Sequence, residues 1–300
     1  MLDAHSLLVF REVARQRSFS KAARALHLTQ PAVSRHVAKL ERETGARLLA
    51  RTAGGVRPTE AGEMLLAHAD TVLGGLAAAE RDLDAIRGLE RGRVRVSSFP
   101  SAAVAIVVPA VASLRRRHPR VEVTFVDASS HAGLDGVRAG ELDLALAFRG
   151  ADEALPADAL ELVHLLTDSM LVALPPSHPL AARPKVRLAD LAEERWIVGT
   201  ASALTRRACL AAGFEPRVTS ESDQAAVSQG LVAAGVGVTL VTGLGRSRAR
   251  RDLAVRPLHP SIQRELYAGL LPGTPRPPAV EALLEVVLAK ARRYAAAAAS

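Results

Sequence analysis

Between Leu7 and Leu40 the apolar residues fall into three short bursts at helical spacing, and the gaps between them are too short for anything but tight turns. Leu7/Leu8/Phe10/Val13/Ala14, Ala22/Ala23/Leu26 and Val33/Val37/Leu40 each predict one small amphipathic helix. Ser18 or Ser20 can cap the second helix and Thr29 or Gln30 the third. Pro31 is tolerated in the first turn of the third, where its missing N–H would have had no partner. Only His27 to Gln30 remain for the turn, so these two helices must approach closely over the small pair Ala22-Ala23. Gly45 closes the third helix. Residues 47–58 then read as two short strands around Gly54-Gly55, a hairpin or wing.

The third helix buries Val33, Val37 and Leu40 and leaves Pro31, Arg35, Ala38 and Arg42 on its other side, flanked by Ser34 and Lys39. Residues 1–60 carry eleven Lys/Arg against five Asp/Glu, a surplus of six within a whole-chain net charge of +8. Cations crowded in this way neutralise phosphates and release condensed counterions. A helix with one apolar and one polar-basic side can lie in a major groove. There Gln30 can address adenine and Arg35 guanine, and Ala32 is small enough to meet a thymine methyl. Ser20, Lys21, Thr29 and Lys39 are better placed for phosphates. Pattern and charge alone fit a small basic helical bundle equally well, because polar helices are common.

From Thr59 the apolar positions step by four and three through Leu65, Ala69, Val72, Leu76, Ala79, Leu83 and Ile86, a heptad seam that favours self-association. Gly74 and Gly75 each weaken such a helix by roughly 1 kcal/mol relative to alanine. The expectation is therefore a packed dimer helix rather than an autonomous zipper. Beyond Gly92 short β-branched runs alternate with helical patterns. Strands are expected at 94–97, 121–126, 142–148, 170–174, 196–198, 237–241 and 265–269. Helices are expected at 101–117, 132–139, 202–212, 223–234 and 277–297. That alternation predicts mostly parallel sheets covered by helices.

At 300 residues and 49% hydrophobic content the chain has material for two or three cores. The lone Cys209 excludes a disulfide framework and a CxxC knuckle, and a reducing, cytoplasmic setting is expected. The first residues read as an amphipathic helix rather than a secretory leader, and charges or Gly and Pro break every apolar run before it could span a membrane. Dinucleotide and P-loop glycine patterns, GxSxG and HExxH are all missing, so no enzyme, metal or cofactor is expected. Cys209 lies in an apolar helical segment and reads as core. The competing reading is a stand-alone solute-binding or catalytic α/β protein with an incidentally basic N-terminus.

The run SFSKAARALHLTQPAVSRHVAKLERETGARLLAR (18–51), with Phe10 and Val13 before it and ValArgProThrGluAlaGly (56–62) after it, resembles the LysR-type transcriptional regulators. So do GlyGluLeuAspLeuAlaLeu (140–146), ProProSerHisProLeuAla (175–181) and LeuValAlaAlaGlyValGlyValThrLeu (231–240), so the likeness spans nearly the whole chain. It implies an all-α winged helix-turn-helix DNA-binding part at 1–58 and a linker/dimerisation helix at 59–91. An α/β effector-binding domain of periplasmic-binding-protein type would fill 92–300, with subdomain I at about 92–166 and 267–300 and subdomain II at about 167–266. Gln30, Pro31, Ser34 and Arg35 then fall on the recognition helix and Arg51 on the wing.

The implied partners are double-stranded DNA bearing an interrupted inverted repeat, further copies of the chain in a homodimer or homotetramer, and a small-molecule effector; RNA polymerase is left open. The likeness places the effector between subdomains, at loops that here contain Ser98, Ser101, Asp127, Ser129, Phe148, Arg149, Thr200 and Ser202. Ser101 and Ser202 stand where helices begin, which favours a carboxylate-bearing effector, although an ordinary helix cap is the simpler role for either serine alone. Two features depart from the family. The spacing from Ser101 to Pro109 is one residue longer than in some members, and the usual Leu-Pro after the 238–241 strand is Thr242-Gly243.

Overall fold

The computed structural model describes residues 2–52, 55–86, 92–150, 154–155, 159–199, 202–272 and 276–299. Its N-terminal head consists of helices α1 (Ala4–Gln16), α2 (Phe19–Ala25) and α3 (Gln30–Thr44) and a hairpin of β1 (Leu49–Thr52) and β2 (Gly55–Pro58). Of the candidate caps, Ser18 accepts from the Lys21 N–H at 3.3 Å and Thr29 from the Ala32 N–H at 3.4 Å. Gly45 ends α3 at φ 68°, in the left-handed region that favours glycine. Phe10, Val13, Ala22, Val33, Val37 and Leu40 meet in one core, which Leu48 and Val56 extend into the hairpin. The Glu41 carboxylate accepts from the N–H groups of Leu48 (2.8 Å) and Leu49 (3.3 Å) and so fixes the hairpin against α3.

The linker helix α4 (Glu60–Ile86) follows, with Thr59 accepting from the Gly62 N–H at 3.1 Å. Its heptad seam divides. Leu65 and Ala69 pack into the head core, whereas Val72 (48%) and Leu76 (49%) remain exposed. The head claims the first turns because they are the nearest cover for its open side. The side chains of Leu83 and Ile86 lie outside the described residues. Gly74 has a specific reason to be glycine: a Cβ there would lie 2.7 Å from the Arg138 carbonyl oxygen, whereas one at Gly75 would meet nothing.

The second domain is mixed α/β. Strands β3 (Arg93–Ser98), β4 (Glu122–Asp127) and β5 (Leu144–Gly150) run parallel, joined by α5 (Pro100–Ala102), a π turn at Ala103–Val107, α6 (Val108–Arg117) and α7 (Ser130–Arg138). A π turn holds one residue more than an α turn, and this one lies between Ser101 and Pro109. The 14-residue β6 (Glu161–Leu174) then leads to β7 (Val186–Arg187), β8 (Arg195–Val198), α8 (Ser202–Ala211), β9 (Arg217–Glu221), α9 (Ala225–Ala233), β10 (Thr239–Thr242) and β11 (Ala254–His259). The chain returns through β12 (Gln263–Leu270) and finishes in α10 (Pro278–Ala299).

The main sheet has the order β4-β3-β5-β12-β6-β11-β7, with β10 also on β6. The expectation of mostly parallel pairing is corrected. β12 lies antiparallel to both β5 and β6, and β10 and β11 are antiparallel to β6, because β12 brings the chain back into the sheet it had left along β6. The N-terminal part of β6 pairs with β12, and its C-terminal part pairs with β10 and β11. Among the described residues the domain's apolar side chains gather around Val94, Ile106, Leu144 and Leu283, on the α7 side around Leu134, Val137 and Ala145, and in the second half around Val172, Leu191, Trp196 and Val238. β6 extends well upstream of the apolar run 170–174 that announced it, because His164, Thr167 and Asp168 mask the alternation. β7, β9 and β11 escaped sequence detection for the same reason: they are short or rich in Arg, Thr and Pro.

Candidate DNA interface and effector cleft

The outer side of α3 is open. Gln30, Pro31 and Arg35 are exposed, and Ala32 and Ser34 are partly so. Gln30 Nε2 donates to Ser34 Oγ at 3.1 Å, so the two side chains present their polar atoms as a unit. Arg35 makes no hydrogen bond or ion pair among the described residues, and its guanidinium keeps its full set of donors. Ser20 and Lys21 are exposed at the start of α2, Thr29 at the start of α3 and Arg51 on β1. Between α3 and the hairpin runs a groove of about 480 Å³ lined by Val37, Glu41, Arg47, Leu49, Arg51 and Val56.

Lys39 is set differently from the others. Its Nζ lies 2.9 Å from Asp3 Oδ2. Asp3 also caps α1 and accepts from Ser6 Oγ at 2.6 Å. The Ser6 hydroxyl and then Lys39 hold the Asp3 carboxyl well below the usual carboxylate range, and the bond that Lys39 donates to Asp3 raises Lys39 in turn. Any phosphate contact by Lys39 therefore competes with an internal carboxylate.

In the second domain the parallel strands β3, β4 and β5 end at one edge, where loops of an open α/β sheet gather. Ser98 stands opposite Asp127 in the ladder. Ser98 is fully buried and its Oγ donates to the Phe99 carbonyl oxygen at 3.2 Å. Asp127 is exposed. Ser129 caps α7, accepting from the Ala132 N–H at 3.3 Å. Ser202 opens α8, with its side chain outside the described residues, as is the whole of Thr200.

Ser101 and Phe148 converge on a residue that sequence reasoning missed, Arg264. Its Nη2 donates to Ser101 Oγ at 2.9 Å, and Nε and Nη2 donate to Asp168 Oδ2 at 3.0 and 2.8 Å. The guanidinium carbon lies 5.2 Å from the Phe99 ring centre and 5.0 Å from that of Phe148, within cation–π range. Arg264 and Asp168 are each only 2% exposed. Burial lowers Arg264 and raises Asp168 from their ordinary values, and each partner's charge opposes the shift. Burial likewise pushes the Tyr294 phenol up to about 12. Asp168 Oδ1 accepts from the Leu244 N–H at 3.1 Å. Gly243 has a specific reason to be glycine, because a Cβ there would lie 2.3 Å from Asp168 Oδ1. The only sequence signal for the cluster was an acid interrupting the apolar run after Leu165.

Arg149 is not part of this cluster. Alternation along β5 sends it to the opposite face from Phe148, where Nη2 bonds Glu265 Oε2 at 2.6 Å and the guanidinium lies over the Tyr267 ring. Glu265 is held below its usual range, first by the Tyr267 hydroxyl and then by Arg149.

A basic winged head with an open polar helix, joined by a long helix to an α/β domain with a buried polar cluster on β6 and β12, has the build of a DNA-binding regulator with a ligand-binding domain. Residues 4–63 match the model of the bacterial regulatory helix-turn-helix protein, lysR family, and residues 87–292 match that of the LysR substrate binding domain. The chain belongs to the LysR family of transcriptional regulators, and it is a regulator rather than an enzyme. It is 35% identical to the small neutral protease regulatory protein of Streptomyces lividans, over 89% of this chain and 78% of that one. It is 29% identical to the transcriptional regulator AlsR of Bacillus subtilis, over 85% of each. Its fold is shared with full-length OxyR from Pseudomonas aeruginosa (TM-score 0.69, 24% identity, covering 96% of this chain and 95% of that one). It is also shared with full-length CbnR complexed with its target DNA (TM-score 0.54, 22% identity, 97% and 100%). Among the described residues no helix is long and apolar enough to cross a membrane.

Proposed function

We propose that this regulator reads an interrupted inverted repeat with two copies of α3, one from each protomer of a dimer or of a dimer pair. Gln30, Pro31, Ala32, Ser34 and Arg35 face base edges, with Ser20, Lys21, Thr29, Lys39 and the wing residue Arg51 on phosphates. The observation that carries this reading is the open face of α3, where Arg35 has no partner within the described chain. Val72 and Leu76 supply the exposed apolar surface for the second protomer. The working division is a DNA-binding head at 1–58, a linker at 59–91 and an effector domain at 92–300, acting in the cytoplasm. Contact with RNA polymerase would follow from DNA-bound dimers beside a promoter.

For the effector, a small carboxylate between the subdomains fits the cluster best. Ser101 Oγ already accepts from Arg264, so its hydrogen is left to donate, and Arg264 Nη1 has no partner among the described residues. Donors without acceptors call for a ligand that brings oxygen. Ser98, Asp127, Ser129, Thr200 and Ser202 complete the proposed wall, whereas Arg149, on the opposite face of β5, would not touch a ligand held at Arg264.

A gel-shift salt series on DNA upstream of the chain's own gene tests the DNA reading. Tight binding to one palindromic site, with log K falling steeply as salt rises, is the expected result. Weak binding indifferent to sequence would refute it. A thermal-shift screen of carboxylates tests the effector reading.

A further inference from the structure

We infer that Arg11 is the positioning residue that seats the DNA-binding head on the effector domain, by gripping the end of α7. Arg11 projects from α1 and its side chain is only 12% exposed, yet among the described residues each of its charged or carbonyl partners lies on another element. Nη1 donates to the Ala139 carbonyl oxygen at 3.2 Å, Nη2 lies 3.2 Å from Glu141 Oε1, and Nη1 lies 3.7 Å from Asp70 Oδ1 on α4. Arg15, one turn further along α1, reaches the other oxygen of Glu141 at 3.7 Å. Ala139 is the C-cap of α7. The guanidinium therefore sits where the last carbonyls of a helix carry partial negative charge and lack helical partners. Gly74 brings the backbone of α4 against the neighbouring Arg138 carbonyl. Head, linker and effector domain thus meet at one helix terminus.

The opposite end of α7 belongs to the proposed cleft. Ser129 caps it, and Ser130 Oγ accepts from the Phe148 N–H at 3.0 Å. Between the two ends the helix is bedded firmly. Leu134 and Val137 are fully buried, and a Cβ at Gly133 would lie 2.7 Å from Ser97 Oγ. Nine residues rising about 1.5 Å each make a strut that moves as one piece. A ligand that shifts the cleft end of α7 then shifts the carbonyl that Arg11 holds. This last step rests on the cleft proposed above, whereas the seat itself does not.

The test is hydrogen–deuterium exchange on the full chain, free of DNA and ligand, comparing Arg11→Ala and Arg11→Lys with the unsubstituted protein. In Arg11→Ala, exchange at residues 135–142 and along the facing turns of α4 rises about tenfold while α3 is unchanged. Arg11→Lys recovers part of the protection, because an ammonium still donates to Ala139 and faces Glu141. Binding to a fixed mixed-sequence duplex keeps the same salt slope in Arg11→Ala, because Arg11 touches no phosphate. Unchanged exchange at 135–142 would overturn the seat. Exchange rising equally through α3 would overturn it as well, since that marks general loosening of the head, and so would a slope shallower by about one, which marks a phosphate ligand. With no effector present, none of these outcomes depends on whether the cleft binds a carboxylate.

Discussion

Arg264 on β12 and Asp168 on β6 stand directly opposite each other in the antiparallel ladder, and two guanidinium nitrogens donate to a single carboxylate oxygen. The pair joins the strand that leaves the first core to the strand that returns to it. Asp168 also holds the Leu244 backbone N–H beyond β10, and Arg264 holds Ser101 at the start of α5. A buried ion pair tethered on both sides favours one relation between the two halves of the domain.

Removing one member leaves the other buried and uncompensated. Asp168→Leu is expected to cost about 3–5 kcal/mol in urea unfolding, and Asp168→Leu combined with Arg264→Met to recover most of it. A single-variant loss below about 1 kcal/mol would show that water reaches the pair.

The adjacent glycines of the linker should respond in opposite directions. Gly75→Ala has open space and gains roughly 1 kcal/mol of helix propensity, whereas Gly74→Ala drives a methyl against the Arg138 carbonyl and destabilises. Thermal unfolding of both variants checks this, and equal shifts would mean that α4 does not pack on α7.

At the DNA interface, Arg35→Ala is expected to cost roughly 1–3 kcal/mol and to relax preference at one base pair, whereas Lys39→Ala weakens all sequences alike. Binding to a set of single-base operator variants separates the two. If both substitutions act uniformly across sequences, Arg35 does not read a base.

Leu76 is 49% exposed on α4, and Leu76→Asp places a charge in the proposed dimer face. The variant is expected to run as a monomer in multi-angle light scattering. An unchanged mass would move the dimer contact elsewhere.

Burial pushes the Cys209 thiol up to about 11. Because the native state keeps this proton more tightly than the unfolded chain, the thiol's contribution to stability is full below about pH 9, the ordinary thiol value, and is lost as pH rises toward 11. An aromatic disulfide reagent should titrate no thiol in the folded protein at pH 8 and one after denaturation, since only the thiolate attacks. Rapid native reaction would make Cys209 a candidate redox sensor.

The head was legible because its information is local. Three bursts at helical spacing, Thr29 and Gly45 at the ends of α3 and Pro31 in its first turn give the helices and the face they bury without reference to distant residues. The linker was half legible: the seam Leu65 to Ile86 is real as a pattern, but sequence cannot tell which of its positions the head takes for its own core. The strands that carry polar side chains, β6 above all, were read short or missed, because a charge in a buried strand erases the alternation that announces it.

What the sequence determined by itself, then, is the three helices of the head, the basic open face of α3 and the change beyond the linker from helical patterns to alternating strands and helices. Only the tertiary structure decided that Ser101 answers to Arg264 rather than merely capping a helix, that Arg149 faces away from Phe148's cluster, and that Arg11 grips α7. Each of those contacts joins residues far apart in the chain, and whether a charge is buried or free depends on what packs over it, which no local pattern encodes.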